Sequence, residues 1–214
     1  MKSPTNPGRF SSHTRAGAAW EAGVFRREVS LTKDGLDRDE VIRSDTSATQ
    51  LAGLSTLIAG PTSTVTAGNS SALADGASAS LLGNLEAANS YGFLAQIVGV
   101  STVGNAPHLF GMAPALAIHQ VLDRLGLTPR QLDVVEISEA FSAQVLSVLK
   151  LIDGLDEAKV NTAGGGISLG HPLGASGARI IGHVAHRLHE RGGGVGLATV
   201  CIGMGQAIAV VLRR

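Results

Sequence analysis

VGLATVCIGMGQAIAVVL, Val195–Leu212, decides how this chain is built. Val195–Val200 and Gln206–Leu212 are apolar runs of β-type residues, and CIGMG, Cys201–Gly205, parts them with two glycines. Short apolar runs bounded by turn signals read as buried strands. A join this tight makes the pair antiparallel, since parallel neighbours need a long crossover.

Working upstream, Ser176–Arg191 has Ile180, Val184 and Leu188 on one face and Arg179, His183, Arg187 and Glu190 on another. That pattern predicts a surface helix, ended by Gly192. Ala140–Ile152 also reads as a helix. Phe141, Val145, Leu146, Val148, Leu149, Leu151 and Ile152 leave only Ser142, Gln144, Ser147 and Lys150 as interruptions. A helix apolar almost all round is buried on all sides, and one sheet covers only one side. A second covering body is therefore expected. Leu132–Ile137 and Ala95–Thr102 read as strands, Ala113–Leu125 as a helix stopped by Gly126, and Glu86–Ser90 as helical. Strands alternating with helices predict an α/β layered domain, and the closing antiparallel pair makes its sheet mixed and flanked by helices.

The front of the chain differs. Residues 1–9 read as irregular, Phe10–Val24 as a helix closed by Gly23, Phe25–Leu31 as a short strand, and Thr32–Thr49 as a solvated connection. Composition turns small and apolar after Gly60-Pro61. This divides the chain into a leading region, 1–60, and a main domain, 61–214.

The 214 residues are 44% hydrophobic and 16% charged, with a net charge of zero, which fits a packed globular protein. No basic excess and only 3% aromatics exclude a nucleic-acid surface of the usual kind. No run reaches the roughly 18 apolar residues of a membrane span. One cysteine cannot form an internal disulfide, which favours a reducing, cytoplasmic setting. The Arg- and Ser-rich first twenty residues loosely mimic an organelle transit segment, but the helix over Phe10–Val24 accounts for them better.

Two glycine-framed turns carry the candidate chemistry. NTAGGGISLGHPLGASGAR, Asn161–Arg179, delivers His171 into a turn fenced by Gly170, Pro172 and Gly174. CIGMG delivers Cys201, the only cysteine. A lone histidine is more often structural than catalytic, and a lone cysteine is often a buried small hydrophobe. Their placement at element ends favours function, because active sites of layered α/β proteins gather there. No GK[ST] accompanies the glycines, so a phosphate loop is disfavoured, and no G-x-S-x-G supplies a nucleophile elbow. His183, His186 and His189 sweep across a polar helix face with Arg187 and Glu190, which reads as solvated surface and not as a metal site.

Together these segments resemble the C-terminal half of the thiolases, the acetyl-CoA and 3-ketoacyl-CoA acyltransferases of fatty-acid metabolism. The resemblance runs in order through SHTRAGAAWEAGVF (12–25), TVTAGNSSALADGAS (64–78), GMAPALAIHQVL (111–122), LDVVEISEAFSAQ (132–144), the His171 block and GLATVCIGMGQAIA (196–209). On it, residues 1–60 would be the end of the covering-loop region and 61–214 the C-terminal domain. The resemblance implies that His171 activates a cysteine nucleophile and donates to a thioester oxygen in one oxyanion hole. Cys201 would move the proton, and the Gly203 N–H would serve a second oxyanion hole. Ser71 would line the pantetheine channel of coenzyme A, and Phe141 would shape the acyl pocket. The implied co-substrate is coenzyme A, with no metal.

Two departures accompany the resemblance. The family pattern Asn-Glu-Ala-Phe is Ser-Glu-Ala-Phe at 138–141, so Ser138 replaces the amide that would hold an oxyanion-hole water. Losing one such donor costs about 10²–10³ in rate. Cys201 matches the proton-transferring cysteine, and no other cysteine is present to carry an acyl group. The expectation is therefore a half active only with an N-terminal thiolase half, in a homo- or hetero-oligomer. The alternatives are a truncated, non-catalytic product and a module that binds CoA thioesters or another subunit.

Overall fold

The computed structural model describes residues 7–30, 32, 33 and 35–214. Its helices are α1 (Pro7–Glu21), α2 (Ala48–Ala52), α3 (Leu85–Tyr91), α4 (Ala113–Leu125), α5 (Ser142–Leu151), α6 (Gly166–Leu169) and α7 (Ser176–Glu190). Its strands are β1 (Gln96–Gly104), β2 (Val134–Ile137), β3 (Val195–Ile202) and β4 (Gln206–Arg213). They form one four-stranded sheet in the order β1-β4-β3-β2. β4 pairs antiparallel with β1 and with β3, whereas β2 pairs parallel with β3. The mixed sheet predicted from Val195–Leu212 is thus present.

Alternation along β3 and β4 sorts the two cores. Leu197, Ala207, Ala209 and Val211 face one side and pack against Ala117, Ile118, Val121 and Leu122 of α4 and Val148 of α5. Ala198, Val210 and Leu212 face the other side and meet Ile180, Val184 and Leu188 of α7. That is the period-two burial of a sheet covered on both faces. A side chain at Gly196 would collide with Val184, so this glycine lets α7 lie close on β3. A third core ties the front of the chain to the rest: Ala16 and Ala19 of α1 meet Phe25, Ala163 and Leu169.

Two expectations from the sequence need correction. α1 starts by Pro7, where proline suits the first turn because no N–H is required of it. Residues 1–6 lie outside the described residues. Phe25–Leu31 is not a strand. Val24–Arg27 is a 3-10 turn, because Gly23 at φ 72° reverses the chain and Phe25 is then buried beside the Trp20 ring; Leu31 itself lies outside the described residues. Within this chain α5 is covered on one side only, in line with the reading of its sequence. Val148 is buried against the sheet, while Leu146 and Leu151 are 39% and 43% exposed.

Candidate functional site

β2 and β3 run parallel, so Ser138 and Cys201 leave the sheet at the same end. Ile137 pairs with Thr199, and the Ser138 N–H donates to the Thr199 carbonyl at 2.9 Å. The segment 70–73 then stitches this end to the histidine turn. Ser70 bridges Phe141, the Ser71 N–H donates to the Ala140 carbonyl at 3.0 Å, and the His171 N–H donates to the Ala72 carbonyl at 2.8 Å. Ser71, Ser138, Phe141 and His171 are therefore gathered by one run of main-chain contacts.

The CIGMG turn closes the other side. Gly205 at φ 87° sits so close to the Asn105 carbonyl that any side chain there would collide with it. The Asn105 N–H in return donates to the Gly205 carbonyl at 2.7 Å. Phe110, on the Pro107–Met112 turn that follows Asn105, meets Phe141 edge-on with ring centroids 6.3 Å apart. The Gly203 backbone faces open space, since a Cβ there would meet no atom within 4 Å. Met204 adopts the left-handed conformation at φ 66° and is largely exposed. All six residues singled out from the sequence thus lie around one edge of the sheet. Among the described residues no hydrogen bond joins His171 to Cys201 directly.

The electrostatics separate the two reactive groups. His171 is half-buried, and its pKa is lowered by burial first and by the Arg179 charge second. It is therefore a neutral imidazole at pH 7, able to accept a proton. Burial raises the pKa of the Cys201 thiol. It stays protonated at neutral pH, which suits a proton donor and disfavours a resting nucleophile.

Beneath Ser138 lies a polar network that the sequence reading did not single out. Glu139 is buried and accepts from Ser12 Oγ at 2.7 Å, the Ile167 N–H at 3.2 Å and Asn161 Nδ2 at 3.2 Å. Asn161 takes φ 49° and places its amide like an added strand residue: Oδ1 accepts from the Ile137 N–H at 2.8 Å and Nδ2 donates to the Ile137 carbonyl at 2.9 Å. This fastens the glycine-rich segment to the end of β2. Desolvation raises the Glu139 pKa, opposed by these hydrogen bonds and by Arg179. The only forewarning in the sequence was that Glu139 and Asn161 belong to the quoted motif blocks.

His183 corrects the sequence reading outright. It is 1% exposed, not solvated. Its Nδ1 lies 2.8 Å and 3.1 Å from the two Glu28 oxygens, and its Nε2 lies 3.8 Å from buried Glu136. Burial acts to lower its pKa, but the hydrogen bond to Glu28 and the charges of Glu136 and Glu28 outweigh it and raise the pKa overall. Glu136 is itself pushed up to about 7, chiefly by desolvation. Among the described residues no three His, Cys, Asp or Glu side chains group as a metal site.

On the uncovered side of α5, a cavity of about 300 Å³ opens between Arg15, Glu139, Ser142, Val145, Leu149 and Asn161. The Ser142 hydroxyl and both polar atoms of the Gln144 amide are buried without a hydrogen-bond partner among the described residues. Such orphans cost about 1–3 kcal/mol each.

Known proteins share this fold. The family model described as "Thiolase, C-terminal domain" matches residues 91–214, and that described as "Thiolase, N-terminal domain" matches residues 10–86. A beta-ketoadipyl-CoA thiolase of Pseudomonas knackmussii is 42% identical over 214 residues, which is 95% of this chain and 53% of that protein. A 3-ketoacyl-CoA thiolase of Vibrio vulnificus is 45% identical over 216 residues, covering 95% of this chain and 56% of that protein. Among solved structures, human mitochondrial 3-ketoacyl-CoA thiolase in complex with CoA superposes with a TM-score of 0.89 at 38% identity, over 98% of this chain and 54% of that one. The acetyl-CoA acetyltransferase of Bacillus anthracis gives a TM-score of 0.90 at 37% identity, over 100% of this chain and 56% of that one. The chain thus spans about half the length of the curated relatives it matches.

Proposed function

The chain belongs to the thiolase family, and from that premise we propose that it supplies the base and proton-carrying half of an acyl-CoA acyltransferase site. The reaction is 3-ketoacyl-CoA thiolysis or its reverse, Claisen condensation, with coenzyme A as co-substrate. The observation that carries the reading is the gathering of His171, Cys201, Ser138 and Gly203 at one sheet edge, with His171 neutral and Cys201 protonated.

In thiolysis, the acyl-accepting thiol comes from an N-terminal thiolase half, since Cys201 is the only cysteine among these 214 residues. His171 removes the proton from that thiol and then donates to the thioester oxygen. The thiolate attacks the ketone carbon, the carbon–carbon bond breaks, and the protonated Cys201 gives its proton to the departing α-carbon. Coenzyme A then takes the acyl group, with Cys201 accepting the thiol proton. The Gly203 N–H serves one developing oxyanion, and Ser138 holds a water for the other. Ser71 borders the pantetheine path and Phe141 the acyl pocket. The uncovered face of α5, with Leu146 exposed and the Ser142 hydroxyl orphaned beside the cavity, supports a covering partner in an oligomeric assembly. The reducing cytoplasm is the compartment that keeps both thiols free.

Co-expression with an N-terminal thiolase half tests this. A stable complex that cleaves acetoacetyl-CoA in the presence of coenzyme A is expected, with no turnover by the chain alone. Turnover by the chain alone with acetylated Cys201, read by mass spectrometry, would overturn it.

A further inference from the structure

The turn that presents His171 also holds the far side of its ring. Nδ1 lies 2.7 Å from the Ser176 hydroxyl, and the same hydroxyl lies 3.1 Å from the Pro172 carbonyl. Ser176 is 2% exposed and is the first residue of α7, so its side chain is fixed by packing as well as by these bonds. A hydroxyl has one proton to give, and a carbonyl only accepts. Back-bonding to the carbonyl four residues earlier is the usual engagement of a helical serine. That carbonyl also takes the Ala175 and Ser176 amides at 2.9 Å and 3.0 Å, so the hydroxyl is its third donor. Only with the hydroxyl proton on this oxygen, and a proton on Nδ1, are both Ser176 contacts hydrogen bonds. With its proton on Pro172, the Ser176 oxygen is left to accept, and Nδ1 must carry the proton that it accepts.

We propose that Ser176 is a positioning residue that holds His171 as the Nδ1–H tautomer, leaving the Nε2 lone pair directed to the chemistry. The inference deepens the reading of His171 as the reacting base and rests on it for its catalytic meaning. Nε2 makes no hydrogen bond among the described residues, so Nδ1 is the nitrogen the fold has committed. The charge state agrees: burial and Arg179 keep the ring neutral, so the position of its single proton determines whether Nε2 accepts or donates. The opposite arrangement, Ser176 donating to Nδ1, would put the proton on Nε2 and make His171 an oxygen-binding donor from the start.

The test is the tautomer itself, read on the full chain labelled with 15N-histidine by long-range 15N–1H correlation above the His171 pKa. A pyrrole-type Nδ1 and a pyridine-type Nε2 are expected. Ser176→Ala should shift the ring toward the Nε2–H form, and Ser176→Thr, which keeps the hydroxyl, should restore the native pattern. A ring that is Nε2–H in the native chain overturns the proposal, as does a pattern unchanged in a folded Ser176→Ala. In the complex with the N-terminal half, Ser176→Ala should lower kcat with little change in KM, by up to about 10⁴-fold, the loss known for a triad histidine left in the wrong tautomer. An Nδ1–H ring whose loss leaves turnover intact also overturns the positioning role. A complex with no turnover at all counts against the acyltransferase reading while the tautomer result stands.

Discussion

His171 and His183 flank the same Arg179, yet the fold sends their pKa values in opposite directions. His171 is half-buried, its Nδ1 meets a neutral hydroxyl, and burial together with Arg179 lowers its pKa. His183 is fully buried, its Nδ1 meets the Glu28 carboxylate, and its pKa rises despite a larger desolvation. The partner, more than the burial, decides the direction of each shift. A hydroxyl positions a ring without charging it. A carboxylate charges it and makes it a clasp, here between the Val24–Arg27 turn and the underside of β2.

Breaking each histidine should expose this division. In the assembled enzyme, His171→Asn is expected to lower kcat by about 10²–10⁴-fold, the usual worth of a general base. The thermal midpoint of the chain should hardly move; a large drop in midpoint with intact turnover would reverse the assignment. His183→Ala should do the opposite. Removing one member of a buried ion pair costs about 3–5 kcal/mol, because Glu28 is left without its hydrogen-bonded partner. Urea unfolding of the chain measures it, and an unchanged midpoint would show that the clasp contributes nothing.

A milder test titrates the clasp without mutating it. His183 has a raised folded pKa, so its contribution is complete below its ordinary value of 6.5 and is lost as pH rises through the raised value. Glu136 prefers its proton in the fold, with a pKa of about 7 against 4.5, so its ionisation also opposes folding as pH climbs through that window. Both act in one direction, and stability should fall from mildly acid to alkaline pH. His183→Gln should flatten the slope above neutrality. A native chain whose thermal midpoint rises across that range would contradict the raised values.

The same contrast explains what could be read in the sequence. The β3–β4 pair was legible because both faces of each strand are covered, so continuous apolar runs and two glycines sufficed. α4 and α7 were legible from period and from Gly126 and Gly192. His171 and Cys201 stood out because glycines frame them. His183 did not, since it sits on the polar-looking side of α7, and nothing local reveals Glu28 and Glu136, which reach it from distant parts of the chain. Phe25–Leu31 misled for a related reason. Phe25 is the anchor of a packed turn, and a period cannot distinguish an aromatic anchor from a strand lacking a partner.

α5 offers the smallest effect on the chain alone and the most telling one on its assembly. Its composition called for a second covering body, and Leu146 and Leu151 remain exposed in this chain, with Leu146 lining a cavity together with the orphaned Ser142 hydroxyl. Substitution at an exposed site away from packed features usually changes stability by no more than about 0.5 kcal/mol. Leu146→Asp should therefore leave urea unfolding of the dilute chain nearly unchanged. If this face meets the N-terminal half, the same change places a charge in an apolar contact and should abolish co-purification. A marked loss of stability in the dilute chain would mean that Leu146 is already packed within it. Intact co-purification would mean that the partner covers another face, and the uncovered side of α5 would need a different occupant.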